Sequence, residues 1–175
     1  MYGHVQPLIK YQADDHYNHL YQKTSALLYN LLDSPIKYTQ HIGGTKHFNY
    51  ETEPILDLLI GVDNLHDITS LDEKRLNYAG FYRLHHAYKK EVMMAKFNNL
   101  RELKQEVRLH IVQLNTQLFE QYQTVDHILN NNIDIANEFA QKKKQLLNNV
   151  ESIRTYESQK QSIFENIYKQ YGHLK

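Results

Sequence analysis

The chain has no cysteine and no tryptophan, only three prolines and six glycines, and no surplus of either charge. Without cysteine there is no disulfide framework, no thiolate zinc site and no cysteine nucleophile, and nothing speaks for an oxidising compartment. The cytoplasm is the expected setting. Twenty Lys+Arg balance 20 Asp+Glu, which argues against a duplex nucleic-acid binder, since such a protein needs extra cations to neutralise phosphates. No apolar run approaches the ~18 residues that span a bilayer. The first residues show no basic stretch leading into an apolar one, so neither export nor membrane insertion is expected.

What is present is an ordinary folding composition. With 175 residues, 41% hydrophobic and 23% charged, the chain has the size and apolar content of one domain, 1–175, read as a sheet-containing core at 1–115 with a helical tail at 116–175 packed on it. Residues 13–33 carry the helical period: Tyr17, Leu20, Tyr21, Thr24, Leu27, Leu28, Leu31 and Leu32 recur at three- and four-residue steps before Ser34-Pro35. From Ile36 to Ile42, β-branched and aromatic residues predict a strand running into Gly43-Gly44. PILDLLIGV at 54–62 is the most apolar run and predicts a central strand, interrupted by one acid, Asp57. A helix is expected over 67–78, opened by a capping box of Ser70 and Glu73, and strands over 81–88, 91–97 and 105–114. Apolar seams then predict helices at 116–130, 133–149 and 152–171. The expected class is α+β, a small mixed sheet with an N-terminal helix and about three C-terminal helices.

Two segments carry chemistry. HIGGT at 41–45 delivers two glycines at the end of a strand, where backbone N–H groups can approach an anion closely. PILDLL then brings Asp57 out of an apolar run, and a buried carboxylate needs a cation, hydrogen-bond donors or a metal. The plainer reading is a tight turn and a strand-end carboxylate bonded to backbone N–H groups, and spacing alone leaves both open.

HIGGT followed by PILDLLIGV is similar to the HIGST…KPIIDILV pattern of the GrpB family, small proteins assigned to the nucleotidyltransferase superfamily. The resemblance extends along most of the chain. VQPLIKYQADDHYNHLYQK looks like the family's opening strand and first helix, and VRLHIVQ (107–113) like its His-h-His strand; EFAQKKKQL and YESQKQSIFENI look like its last two helices, Tyr156 and Lys160 included. It implies a small mixed sheet of nucleotidyltransferase type, Gly43, Gly44, Thr45, Arg108, Tyr156 and Lys160 toward a phosphate, and Asp57 and His110 in the catalytic positions. Asp57 would be first ligand to Mg²⁺, and the substrates would be a nucleotide or phosphorylated small molecule and an unidentified acceptor. Several positions depart from the pattern: Leu59 stands where a second metal carboxylate belongs, Gly44 replaces Ser, and Glu53 replaces the Lys before Pro54. Arg108 replaces the first His, and Asp126 and Asn130 fall on an Arg pair.

The remaining features read plainly. His16 with His19, His41 with His47, and His85-His86 match no zinc signature and read as surface or core histidines. Lys142-Lys143-Lys144 reads as a solvated helix face. Three functions of different class follow: a nucleotidyltransferase, a binding module that keeps the pocket without turnover, and an interaction protein working through its helical tail. A second acid facing Asp57 favours the first, Glu106 and Asp63 being the nearby candidates, whereas a charged cavity without a carboxylate pair favours the second. An uncovered apolar stripe over 133–171 favours the third. The tail is expected to close the pocket, with Tyr156 and Lys160 on one helix face toward the glycine turn.

Overall fold

The computed structural model of the chain describes residues 6–10, 15–48, 50–68, 73–84, 90–149 and 153–174. Five strands form one sheet: β1 (Ile36–Ile42), β2 (Leu56–Val62), β3 (Tyr82–Arg83), β4 (Glu91–Phe97) and β5 (Gln105–Gln113), in the order β1-β2-β5-β4-β3. β2 and β5 are parallel and the other pairings are antiparallel. The helices are α1 (His16–Tyr29), the short α2 (Gly44–His47), α3 (Leu65–Asp67) and α4 (Glu73–Tyr78), then α5 (Gln117–Asn131), α6 (Ile133–Asn149) and α7 (Ile153–Tyr171). The α+β class with a small mixed sheet is what the sequence pattern predicts.

Strand alternation sorts the sheet into a dry face and a mixed one. Leu56, Leu58 and Ile60 of β2 join Val107, Leu109 and Ile111 of β5 and Met94 of β4 on the dry face, packed with Tyr17 and Leu28 of α1, Leu76 of α4 and Phe81. Each such side chain, taken fully out of water, contributes about 1.5–3 kcal/mol. The intervening residues, Asp57, Leu59, Arg108, His110 and Val112, point to the other face. There Leu59 and Val112 meet Ile42 and Tyr122 of α5, while α5, α6 and α7 form a second cluster through Val125, Ile128, Ala136, Phe139 and Ile167. Both halves of the chain therefore enclose the face that carries the charges.

The boundaries differ from the sequence reading where local chemistry overrides period. α1 ends at Tyr29, four residues short of the predicted 33, and Leu32 is 78% exposed: the chain turns at Asn30, and the leucine spacing runs on past the helix. Of the helix predicted over 67–78, the described residues show its start in α3 and its last part in α4; Ser70 of the capping box lies outside the described residues. Of the strand predicted over 81–88, the described residues show Tyr82–Arg83 paired with β4 and the Leu84 N–H donating to the Met93 carbonyl at 2.9 Å; His85-His86 are likewise outside the described residues. The tail helices fall within a residue or so of prediction. Thr116 caps α5 by accepting from the Phe119 N–H at 3.3 Å, and Asn132, in an extended conformation, separates α5 from α6.

The turn after β1 is shaped by two different demands for glycine. Gly43 has φ +83°, and a Cβ there would lie 3.2 Å from Asp57 Oδ2. Gly44 is helical, but a Cβ on it would stand 2.4 Å from Cβ of Thr52, which is buried and paired through its backbone with Ile9. Thr52 thus fills the space that a serine at 44 needs. Gly44→Ser is expected to cost about 1–3 kcal/mol through overpacking, read as a lower urea midpoint with unchanged slope. An unchanged midpoint would show that Thr52 yields freely.

Candidate functional site

The mixed face of the sheet and the three tail helices border a cavity of about 90 Å³ that opens to solvent. β2 supplies Asp57, β5 supplies Arg108 and His110, and the turn supplies Gly43 and Gly44. α5 adds Tyr122 and Asp126, α6 adds Phe139 and Lys143, and α7 adds Glu157, Lys160, Gln161 and Phe164. Parallel pairing of β2 with β5 sets Asp57 opposite Arg108 and Leu59 opposite His110, so three polar side chains rise from two adjacent strands onto one face.

His110 Nε2 lies 2.8 Å from Asp57 Oδ1. Burial pulls the Asp57 carboxyl upward, but the bond from His110 and the nearby charges of Arg108 and Lys160 hold it below the ordinary carboxylate value. An ionised carboxylate only accepts, so Nε2 is the donor and the second imidazole nitrogen, Nδ1, carries the lone pair in the neutral ring. The Nδ1 atom is buried with no hydrogen-bond partner among the described residues.

Around this pair runs a relay of alternating charge. Arg108 Nη1 meets Glu157 Oε1 at 3.1 Å, Glu157 Oε2 meets Lys160 Nζ at 3.3 Å, Lys160 lies 3.7 Å from Glu53 Oε1, and Glu53 Oε2 lies 3.4 Å from Lys143 Nζ. The Tyr156 hydroxyl donates to Glu53 as well. Burial works against the Glu53 carboxylate, yet Lys143, Lys160 and Tyr156 together hold its value well below the ordinary one. Lys143 is fully buried over the rings of Tyr50 and Phe139, at 5.0 and 5.3 Å, and that burial lowers its value against the pull of Glu53. For Lys160 burial also lowers, but Glu157 and Glu53 prevail and raise it. Breaking one link of such a buried network costs about 3–5 kcal/mol.

The glycine turn is held from α5. Asp126, 5% exposed, accepts from the Gly43 N–H at 2.7 Å and lies 3.8 Å from Lys46 and 3.9 Å from His47. Burial, with a further push from Asp57, raises its carboxyl to about 6 against the Gly43 bond and Lys46. On the far side of the turn His41 meets Thr45 Oγ1 at 3.1 Å and stacks on Tyr21; burial lowers both His41 and His47 to about 4.

Of the residues singled out from sequence, Asp57, His110, Gly43, Gly44, Arg108 and Lys160 line the one cavity. Two are placed differently. Thr45 is buried and bonded to His41 in a second, open cleft beside α1, and Tyr156 is fully buried behind Glu53, which it positions. Glu106 and Asp63, the candidate second acids, are both exposed and outside the cavity. A further buried acid on this face is Glu91, which accepts from the Tyr122 hydroxyl at 2.6 Å and whose value burial raises.

Lys143 corrects the reading of the lysine run as a solvated face. Lys144 is exposed and Lys142 partly so, but Lys143 is 1% exposed because it follows Ala136 and Phe139 at helical steps on the apolar side of α6. That phase was the signal available in the sequence. Glu53, Glu157 and Asp126 are the other cavity groups that pattern alone did not assign.

The donors suit a metal in one role only. Leu59 is fully buried in the cluster with Ile42, Val112 and Tyr122, so the two-carboxylate pair of a metal-dependent transferase has no room here. Among the described residues no three His, Asp or Glu side chains stand close enough to hold a metal. Asp57 Oδ2, facing Gly43, offers a single carboxylate oxygen, enough to meet Mg²⁺ carried in by a phosphate.

The model of the GrpB protein family matches residues 9–170. The chain is 31% identical over 134 residues to the glutamate-rich protein GrpB of Alkalihalophilus pseudofirmus, covering 75% of this chain and 76% of that one. The chain belongs to the GrpB family. Its structure is similar to the crystal structure of the conserved protein GrpB from Enterococcus faecalis, with a TM-score of 0.72 at 22% identity over 94% of this chain and 99% of that one. A looser likeness, TM-score 0.43 at 15% identity, covers 75% of this chain and 43% of the Cid1 poly(U) polymerase.

Asp126 gives a pH test of the turn. Its folded value of about 6 lies above the ordinary 3.8, so the stability linked to the neutral acid is present below pH ~4 and lost as pH rises through 6. Asparagine keeps the acceptor for Gly43 and never ionises. Asp126→Asn is therefore expected to be more stable than wild type by about 2–3 kcal/mol at pH 8, with the gain vanishing near pH 4, measured by urea unfolding at both. A less stable variant at pH 8 would show that Lys46 outweighs burial.

Proposed function

We propose that this chain binds a nucleotide or another phosphorylated small molecule in the cavity between its sheet and its tail helices, on a nucleotidyltransferase-like fold. The observation that carries the reading is the convergence of three cations, the buried Arg108 and Lys143 and the half-buried Lys160, on a cavity that also holds the glycine turn and Asp57. Within the chain these cations are met by Glu157 and Glu53, so an anionic ligand competes with carboxylates for them, and a cavity with aromatic walls, Tyr122, Phe139 and Phe164, suits a ligand with a flat apolar part and an anionic one. Residues 1–115 and 116–175 act as one unit here, since each supplies half of the lining. The expected setting is the cytoplasm, where such ligands abound.

A second reading, nucleotidyl transfer to a small acceptor, is favoured by the Asp57–His110 pair. A carboxylate that fixes the imidazole tautomer is the arrangement by which His acts as a proton acceptor, and Asp57 Oδ2 faces the turn where Mg²⁺ accompanying a phosphate would arrive. The charge-neutralised relay and the buried Leu59 favour binding over transfer.

Calorimetric titration with AMP, ADP and ATP, each with and without Mg²⁺, separates the two. One nucleotide per chain is expected, and Lys160→Met should weaken it at least tenfold, the loss of about one charge-assisted hydrogen bond. If turnover accompanies binding, Asp57→Asn should abolish it and leave the fold intact. Absence of binding by every nucleotide under both conditions would overturn the proposal.

A further inference from the structure

We propose that Arg108 and Lys160 form the phosphate subsite of the cavity and that Glu157 occupies it as an internal counter-anion, displaced when a phosphate enters. This rests on reading the cavity as a site for phosphorylated ligands, and it assigns that ligand's anionic end to one pair of side chains.

Glu157 spans the two cations with its two oxygens, Oε1 at 3.1 Å from Arg108 Nη1 and Oε2 at 3.3 Å from Lys160 Nζ. Two oxygens of a phosphate can take the same two positions and bring a larger charge. The cations are held from opposite walls, one on β5 and one on α7, so the spacing between them is set by the packing of helix on sheet. Arg108 is further fixed by its Nε, which donates to the buried Gln105 Oε1 at 3.0 Å. Its planar donor fork is the side chain best matched to phosphate oxygens.

The cavity's other carboxylates have partners outside this pair of cations. Glu53 takes the Tyr156 hydroxyl and the ammonium groups of Lys143 and Lys160. Asp57 takes His110, and Asp126 takes the Gly43 N–H. Glu157 has the two cations alone as described partners, lines the cavity, and sits one helical turn before Lys160, so a change of its rotamer vacates the place between the two cations without moving the backbone, while Lys160 keeps Glu53 at 3.7 Å. Gln161, four residues further along the same helix and lining the same cavity, offers an amide donor to the displaced carboxylate. The exchange replaces one carboxylate by one phosphate at constant geometry, which makes the subsite selective for an anion strong enough to compete.

The test uses inorganic phosphate as the probe, titrated into wild type, Glu157→Gln, and the control Glu165→Gln, an identical charge change at an exposed position of α7. Glu157→Gln is expected to bind phosphate at least tenfold tighter than wild type and to gain thermal stability from it, Glu165→Gln to behave as wild type, and Lys160→Met added to Glu157→Gln to erase the gain. Phosphate binding no tighter in Glu157→Gln, or equal gains in both variants, overturns the proposal. If Glu157→Gln fails to fold, Glu157→Asp keeps the charge but shortens the reach: tighter phosphate binding than wild type supports the displacement, and equal or weaker binding refutes it. Nucleotide binding that persists while these gains are absent removes this subsite and leaves the cavity reading standing; no nucleotide binding in any variant removes the cavity reading itself.

Discussion

Asp57 and Arg108 stand side by side on the covered face of the sheet, and much of the molecule is arranged to make that tolerable. The parallel pairing of β2 with β5 leaves no freedom here, because the register that buries Leu58 and Leu109 on one face puts the carboxylate and the guanidinium on the other. Neither group can be desolvated alone. Asp57 is answered by His110 two residues along the neighbouring strand, and Arg108 by Glu157 from α7. Glu157 then meets Lys160, Lys160 meets Glu53, and Glu53 meets Lys143 on α6. A requirement set by two strands is passed, sign by alternating sign, into the helices that cover them.

The positions where this chain departs from the family pattern acquire partners in the same way. Gly44 stands opposite a threonine whose side chain occupies the volume of the serine it replaces. Glu53, an acid in the place of a lysine, is met by two lysines and a tyrosine, which together more than offset its burial. Asp126, in the place of an arginine, accepts from the turn N–H and faces Lys46 and His47.

Much of this was legible in sequence, for reasons that differ between fold and site. β2, β4, β5 and the three tail helices announce themselves because period and apolarity are local properties, and the glycine turn with Asp57 stands out because a lone acid in PILDLL contradicts its surroundings. What pattern could not supply was pairing across distance. Nothing near Glu53 in the chain shows that Tyr156, Lys143 and Lys160 complete it, and nothing in the lysine run separates the buried middle residue from its solvated neighbours except its phase with Phe139. Leu31 and Leu32 mislead in the opposite sense, extending the leucine spacing of α1 into a turn that Asn30 begins.

The relay also ties distant parts of the chain together. The bond from Tyr156 to Glu53 joins residues 103 positions apart, and that from Lys143 to Glu53 spans 90. Closing loops of that length costs chain entropy, and contacts of such separation raise the contact order that slows folding. The buried cluster on the sheet's dry face draws on residues up to Ile111, whereas Glu157, Lys160, Lys143 and Tyr156, which meet Arg108 and Glu53 on the other face, all come from α6 and α7. A chain cut after β5 lacks those four side chains and leaves the charges of that face to water.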